Sequence, residues 1–313
     1  MLNLMTTLTL LIQVLLIPTL APLCIGVIRK MKALMQNRRG ADIFQPYRDI
    51  VKLLKKDEVI SEDASWISLI GPYIIFAVML VVALLVPIVS GFQFFGALSD
   101  LIVLIYLIAL GTFFTALLGL DAGNAFGGTG SSREMTLAAC TEGGLLFSLL
   151  PAAIMAGSTR FSTMFFDVGV LSALENTALI IAFVAFFIAL LAENARYPFD
   201  NPSTHLELTM VHEAMIIEAS GKRLALLEWA SAMKLLAFAL IGANVFFPSI
   251  AFGVSGGMSL LALLFVFGKV LCIMVAIAVI ESTTPKLRYL RLPDLLFTSF
   301  ALGVIALGVA LIA

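Results

Sequence analysis

Long apolar segments alternate with short polar segments along the whole 313-residue chain. A helix of about 20 apolar residues crosses about 30 Å of hydrocarbon, and it satisfies its own backbone polar groups. Uniformly apolar runs of this length fit helices rather than the alternating strands of a barrel. The pattern predicts an all-α polytopic membrane protein, one membrane domain over residues 1–313, with about eight transmembrane helices. The apolar runs fall at residues 8–28, 67–89, 100–120, 135–156, 172–192, 224–247, 258–280 and 294–313.

The composition supports this class. The chain is 61% hydrophobic and 12% charged, with a mean hydropathy of +1.09, whereas soluble domains carry about 25% charged residues. A net charge of -1 excludes nucleic-acid binding, which needs a basic face. Cys24, Cys140 and Cys272 stand singly without C-x-x-C spacing, so neither a structural disulfide nor a cluster-binding motif is predicted. The first residues lack a basic region and a cleavage site, so the first run is expected to remain a span.

Lysine and arginine are concentrated in alternate loops. The first loop carries nine of them, the third, fifth and seventh loops carry seven more, and the even-numbered loops carry only Arg160. Because loops rich in Lys and Arg stay in the cytoplasm, the odd loops are predicted to be cytoplasmic. Both termini would then lie on the opposite side of the inner, cytoplasmic membrane.

The first loop contains an amphipathic segment. Residues 42–56 place apolar side chains at helical spacing, with charged side chains between them. One interpretation is a helix that lies on the lipid headgroups. The other is a dock for a cytoplasmic partner protein.

The polar stretch 191–221 separates two apolar runs and is interpreted as a cytoplasmic coupling loop. It holds five of the twenty carboxylates and both histidines, a density that points to more than a connector. Asn201 followed by proline predicts an N-cap, so we expect a short helix from Ser203 to Ala219, closed by Gly221.

The two histidines, His205 and His212, are seven residues apart and would share a face of that helix. Because no H-E-x-x-H or zinc-like spacing is present, contact with a partner protein is the preferred interpretation over a metal site.

Ionisable side chains also occur inside the spans. Lys234 and Lys269 fall near the middle of theirs, where a lysine costs about 2.5–3.5 kcal/mol. Such groups either pair to hold helices together, or form a chain that conducts protons or sodium ions. The candidate relay residues are Glu134, Glu142, Glu193, Asp200, Glu207, Glu213, Glu228, Lys234 and Lys269.

Short motifs from the first loop to the seventh resemble one family, the NADH dehydrogenase subunit 1 family of respiratory complex I. Within it, the run from Gly119 to Glu134 is similar to the group 4 [NiFe] hydrogenase membrane subunit, of the formate hydrogenlyase subunit 4 and hydrogenase-4 component C type. The motifs are Asn37-Arg38-Arg39-Gly40, Gln45-Pro46-Tyr47-Arg48-Asp49, Arg133 with Glu142, Leu191-Ala192-Glu193, Arg196, Pro198-Phe199-Asp200, Glu207-Leu208, Ser220-Gly221, Leu227-Glu228, and Pro285 with Arg288-Tyr289.

The resemblance implies a non-catalytic anchor subunit that joins an electron-transferring arm to antiporter-like membrane subunits. It implies hydrogenase-like large and small subunits and a ferredoxin-like Fe–S subunit as partners, which would carry the [NiFe] and Fe–S clusters, with no redox cofactor bound by this chain. Glu142, Glu193 and Glu228 resemble the family's acidic channel. The first and fifth loops would face the arm through Arg38, Arg39, Gln45, Tyr47, Arg48, Asp49, Arg196, Pro198, Phe199 and His205.

Two alternatives stay open. One is a quinone-binding subunit of a complex I-like NADH or ferredoxin dehydrogenase, with a chamber between the first, fifth and sixth spans near Arg29, Arg38 and Phe199. Ser203 and His205 stand where the quinone-reducing family has glutamates, which weakens this alternative. The other is a stand-alone secondary transporter, although the chain lacks the inverted repeats that are common in transporters.

Overall fold

The chain folds into a bundle of α-helices. The computed structural model describes residues 4–61, 64–88, 99–161, 163–164, 176–200, 210–247 and 260–312. A short 3₁₀ turn, Tyr289–Arg291, precedes the last helix. The helices are α1 (Leu4–Met35), α2 (Gln45–Leu54), α3 (Trp66–Leu85), α4 (Leu101–Asp121), α5 (Ala125–Met155), α6 (Thr177–Glu193), α7 (His212–Met215), α8 (Gly221–Val245), α9 (Leu260–Thr283) and α10 (Leu292–Ile312).

The predicted all-α membrane fold is confirmed. Each predicted apolar run is occupied by one long helix, and among the described helices seven are long and apolar enough to cross a membrane. The remaining long helix, α6, is equally apolar but has 17 residues. The orientation of the loops and the extent of the domain stay predictions.

Polar side chains set where several helices begin. Ser65, Asp100, Asn124 and Asn176 precede α3, α4, α5 and α6, and each side chain accepts a backbone N–H from the first turn. Such caps satisfy donors that have no partner within the helix. Gly123, with φ +64°, makes the tight turn between α4 and α5, a conformation that glycine adopts without steric cost.

Helix α8 lies at the centre of the bundle. It packs against α1, α2, α3 and α9 on one side and touches α6 on the other. A second group, α4, α5, α6 and α10, packs together beside it. The apolar core follows α8 from Ala230 to Phe246. The inner cavity described below lies where these two groups of helices meet.

The amphipathic helix in the first loop is present as α2. Its Pro46 and Ile50 are buried, and the helix packs against α8 and α1. Phe44 and Val51 remain exposed on the other face. The helix is thus fixed to the bundle by its apolar stripe, and one face stays accessible.

The expected helix from Ser203 to Ala219 is wrong over its described part. Only His212–Met215 is helical, residues 216–220 leave the helix, and Gly221 opens α8 instead of closing a helix. Tertiary packing overrides local propensity here, because Val211, Ala214 and Met215 are buried against α4 and α5. Residues 201–209, including His205 and Glu207, lie outside the described residues.

Gly119 and Gly130, both in the run from Gly119 to Glu134, lie directly against α7. A Cβ atom built on Gly130 would lie 2.9 Å from the carbonyl oxygen of Val211 and 2.9 Å from the Cβ of Ala214. One built on Gly119 would lie 3.0 Å from Met215. The absence of side chains at these positions lets α7 approach the backbones of α4 and α5.

Candidate functional site: two adjoining cavities

The first cavity, here called the inner cavity, lies between α3, α4, α5, α6 and α8. It has a volume of about 40 Å³, which is room for at least one water molecule. Lys234 Nζ lies 2.7 Å from Glu193 Oε2 and donates a longer hydrogen bond, 3.4 Å, to Thr112 Oγ1. Its polar lining is Thr112, Thr115, Glu134, Glu193, Asn194, His212, Ser231 and Lys234.

The pairing of Glu193 with Lys234 shows how deep the stretch 191–221, here called the central loop, reaches. Lys234 is thirteen residues beyond Gly221, about 20 Å along α8. Glu193 is the last residue of α6. Because these two side chains meet, α6 ends near half the depth of α8, and residues 194–200 and 210–216 fold inward from there. Phe199, Met210 and Ile216 are accordingly buried.

The carboxylates of α5 extend this cluster. Glu134 lines the inner cavity, and its charge interacts with those of Lys234, Glu193 and Asp200. Glu142 lies two turns further, about 12 Å along the helix. Its charge also interacts with Glu193 and Lys234.

The second cavity, here called the outer cavity, lies between α1, α2, α8 and the central loop. It has a volume of about 230 Å³. Its five acidic and three basic side chains give a charge of -2 when all are ionised, which favours water and cations over an apolar ligand. These charged side chains are Arg29, Lys32, Asp49, Arg196, Asp200, Glu213, Glu228 and Glu281.

A three-membered ion cluster closes one side of the outer cavity. Glu281, at the end of α9, is buried and lies 3.3 Å from Lys32 Nζ and 3.2 Å from an Arg196 nitrogen. Lys32 also stands 4.8 Å above the ring of Tyr197. The two cations lie 85 and 249 residues from Glu281 in the sequence, so no local pattern could reveal this cluster.

Asp200 holds α7 in place. One oxygen lies 2.5 Å from Lys286 Nζ. The other accepts the backbone N–H groups of Val211 and His212 at 3.2 and 3.1 Å. Both oxygens of this buried carboxylate are therefore engaged, which makes Asp200 a positioning residue for the loop.

His212 lines both cavities. Burial and the positive charge of Lys234 lower the pKa of His212 from 6.5 to about 4. The negative charge of Asp200 acts in the opposite direction but is the smaller effect. The imidazole is therefore neutral at physiological pH, with one donor and one acceptor nitrogen.

Lys269 is not brought into this cluster. Its ammonium donates to the side-chain oxygen of Asn244 at 3.2 Å and to the carbonyl of Phe247 at 2.8 Å. Asn244 is ten residues beyond Lys234, about 15 Å further along α8. It also donates to the carbonyls of Pro87 and Ile88. Lys269 thus ties together the ends of α3 and α8, far from the two cavities.

The predicted docking residues fall into two groups. Arg38 and Arg39 are exposed beyond α1, and the polar residues of the α2 segment make local contacts: Gln45 with Asp49, Arg48 with Asp42, and Tyr47 with the carbonyl of Thr19. Arg196 and Phe199 are buried, so their side chains do not belong to an accessible face. Pro198 is half-buried.

Sequence reasoning missed the neutral polar residues of the inner cavity. Thr112, Asn194 and Ser231 line it, and only their occurrence beside apolar runs or ionisable residues distinguishes them in the sequence. The described residues hold no cluster of three or more His, Cys, Asp or Glu side chains suited to a metal ion.

The comparisons with known proteins agree with this architecture. A family model described as NADH dehydrogenase matches residues 7–312. The chain belongs to this family. It is 35% identical over 298 residues to hydrogenase-4 component C of Escherichia coli (strain K12), covering 94% of this chain and 92% of that protein.

Formate hydrogenlyase subunit 4 of the same organism is 34% identical over 298 residues, covering 95% and 96% of the two chains. The fold is also similar to a chain in the structure of a membrane-bound sulfane sulfur reductase, described as an archaeal respiratory membrane complex. The TM-score is 0.82, at 20% identity, over 97% of this chain and 99% of that chain. The resemblance predicted from the motifs is confirmed.

Proposed function

We propose that this chain is the integral membrane anchor subunit of an energy-converting hydrogenase or a related complex, and that it relays protons or sodium ions coupled to electron transfer. The observation that carries this proposal is the succession of ionisable side chains from the outer cavity, through the inner cavity, to the middle of α8. Buried charges of this kind are costly in a membrane, and they mark ion pathways.

The anchoring role rests on family membership and on the accessible face of α2. The partners are hydrogenase-like large and small subunits, a ferredoxin-like Fe–S subunit and antiporter-like membrane subunits. The odd loops, including α2 and the exposed Arg38 and Arg39, face the hydrogenase-like and ferredoxin-like subunits on the cytoplasmic side of the inner membrane.

The relay begins at the central loop. Electron transfer in the arm moves the loop, which biases the protonation of Glu193 and Glu213. Protonation of Glu193 weakens its attraction for Lys234, whose charge then acts on Glu134 and Glu142. In this way a change at the loop reaches the middle of the bundle.

Quinone binding is the second candidate, because the outer cavity is large and opens near Arg29. Its lining, however, is densely charged, whereas small-molecule sites are mostly apolar. Arg38 and Phe199, expected in a quinone chamber, do not line it.

Purification of the tagged chain in mild detergent tests the assignment. We expect a hydrogenase-like large subunit by mass spectrometry, with nickel and iron by elemental analysis. Iron without nickel, together with extractable quinone, would favour the complex I-like alternative. Recovery of the chain alone would contradict the anchor role and favour a stand-alone transporter.

A further inference from the structure

Among the residues that the structure describes, the two cavities share one stretch of lining, here called the wall. Asn194, Ala195, His212, Ile216, Leu227 and Ser231 line both. Ile216 and Leu227 are buried apolar residues, which offer no hydrogen bond to water. Passage between the cavities therefore depends on the polar members of the wall.

Asn194 and Ser231 are suited to hold water at this wall. The amide nitrogen of Asn194 donates to the carbonyl of Leu190 at 2.8 Å. Its amide oxygen is buried and, among the described residues, has no hydrogen-bond partner. A buried polar atom beside a cavity is satisfied by ordered water, and Ser231 also lines both cavities.

His212 suits a proton relay at this wall, because a neutral imidazole can take a proton on one ring nitrogen and release one from the other. Its backbone is held by Asp200, and its side chain lines both cavities. Acidic groups stand on both sides, with Glu213 and Glu228 in the outer cavity and Glu134 and Glu193 in the inner cavity.

We propose that His212 is the relay side chain that passes protons between the outer and the inner cavity, with water held by Asn194 and Ser231 on either side. One ring nitrogen takes a proton from a hydronium ion in the water of the outer cavity, which leaves a neutral water molecule there. The other nitrogen releases its proton to water in the inner cavity, which delivers it to the Glu193 carboxylate. One proton enters and one leaves, and rotation of the ring restores the first tautomer.

This inference rests on the proposed function. It is tested on the whole complex in proteoliposomes, by the number of protons moved per electron transferred. His212→Phe should lower that number about tenfold or more, because phenylalanine fills the same space without a nitrogen that can accept a proton. His212→Ala should lose proton movement as well, and added imidazole should restore it, because a free imidazole fits the vacated space. Imidazole should not rescue Glu193→Gln.

Each contrary result has a distinct meaning. Full proton movement in His212→Phe, together with loss in Glu193→Gln, would overturn the role of His212 and leave the proposed function intact. Failure of imidazole to restore His212→Ala would assign His212 a packing role only, which also overturns the inference. Full movement in Glu193→Gln would overturn the proposed function itself.

Discussion

Lys234 and Lys269 stand in similar sequence surroundings, each near the middle of an apolar helix, yet the structure gives them different environments. Lys234 faces a carboxylate beside a cavity that admits water. Lys269 donates to an amide oxygen and a helix-terminal carbonyl. A lysine inside a span is therefore not by itself evidence of an ion path; the titratable partner and the adjoining water space distinguish the two.

Replacing each lysine by methionine should give the largest contrast. Lys234→Met leaves Glu193 buried without its cation, so we expect a loss of about 3–5 kcal/mol in stability and a fall of about tenfold or more in ions moved per electron. Lys269→Met acts at the far end of α8, away from the two cavities, and should keep ion movement within about twofold. Thermal unfolding and proteoliposome assays measure both. Equal loss of ion movement in the two variants would contradict the distinction.

Asp200→Asn should weaken the link between the central loop and the bundle. It replaces one carboxylate oxygen by an amide nitrogen and removes the negative charge, so the chain loses either the ion pair with Lys286 or the acceptor that holds α7. We expect a loss of about 3 kcal/mol, measured by the thermal midpoint in detergent. The control is Asp42→Asn, which breaks an exposed pair with Arg48 and should cost less than about 1 kcal/mol. Similar costs in both variants would show that Asp200 does not position α7.

Gly130→Ala should displace α7 from its position against α5. The new methyl group would press on the backbone of Val211, an overpacking that typically costs about 1–3 kcal/mol. Gly128, in the same helix, has open space where a Cβ would lie. Gly128→Ala should therefore be neutral or slightly stabilising. Thermal melting curves and the number of ions moved per electron are measured for both variants. An unchanged number of ions per electron in Gly130→Ala would show that the position of α7 does not affect ion movement.

The pH dependence of stability should report the neutral state of His212. Its folded pKa is about 4, against an ordinary value of 6.5. Below 6.5 the unfolded chain binds a proton that the folded chain does not, so stability falls as the pH drops through this window. The loss between pH 7 and pH 5.5 is about 1.2 kcal/mol. His212→Gln should lack this contribution, and thermal midpoints that fall in parallel for both proteins between pH 7 and 5.5 would contradict it.

The spans were predictable because each apolar run is long enough to cross a membrane and too uniform for a barrel. The amphipathic α2 was predictable from the helical spacing of its apolar residues. Pattern could also nominate Glu193 and Lys234 as unusual, because charges in apolar surroundings are costly.

The pairing of those residues could not be predicted. Glu193 meets Lys234 only because α6 ends deep in the bundle and the loop folds inward, and that depth depends on tertiary packing. Local turn signals suggested a long helix after Asn201, whereas Gly119, Gly130 and Asp200 fix a short α7 in another register. These contacts join distant segments, and no local pattern encodes them.

The most direct test of the account compares ions moved per electron in Glu193→Gln, Lys269→Met and the unchanged complex, all in one proteoliposome preparation. We predict that Glu193→Gln loses ion movement while its electron transfer to a soluble acceptor continues. Lys269→Met should match the unchanged complex. Full ion movement in Glu193→Gln would contradict the central claim that the Glu193–Lys234 pair carries the relay.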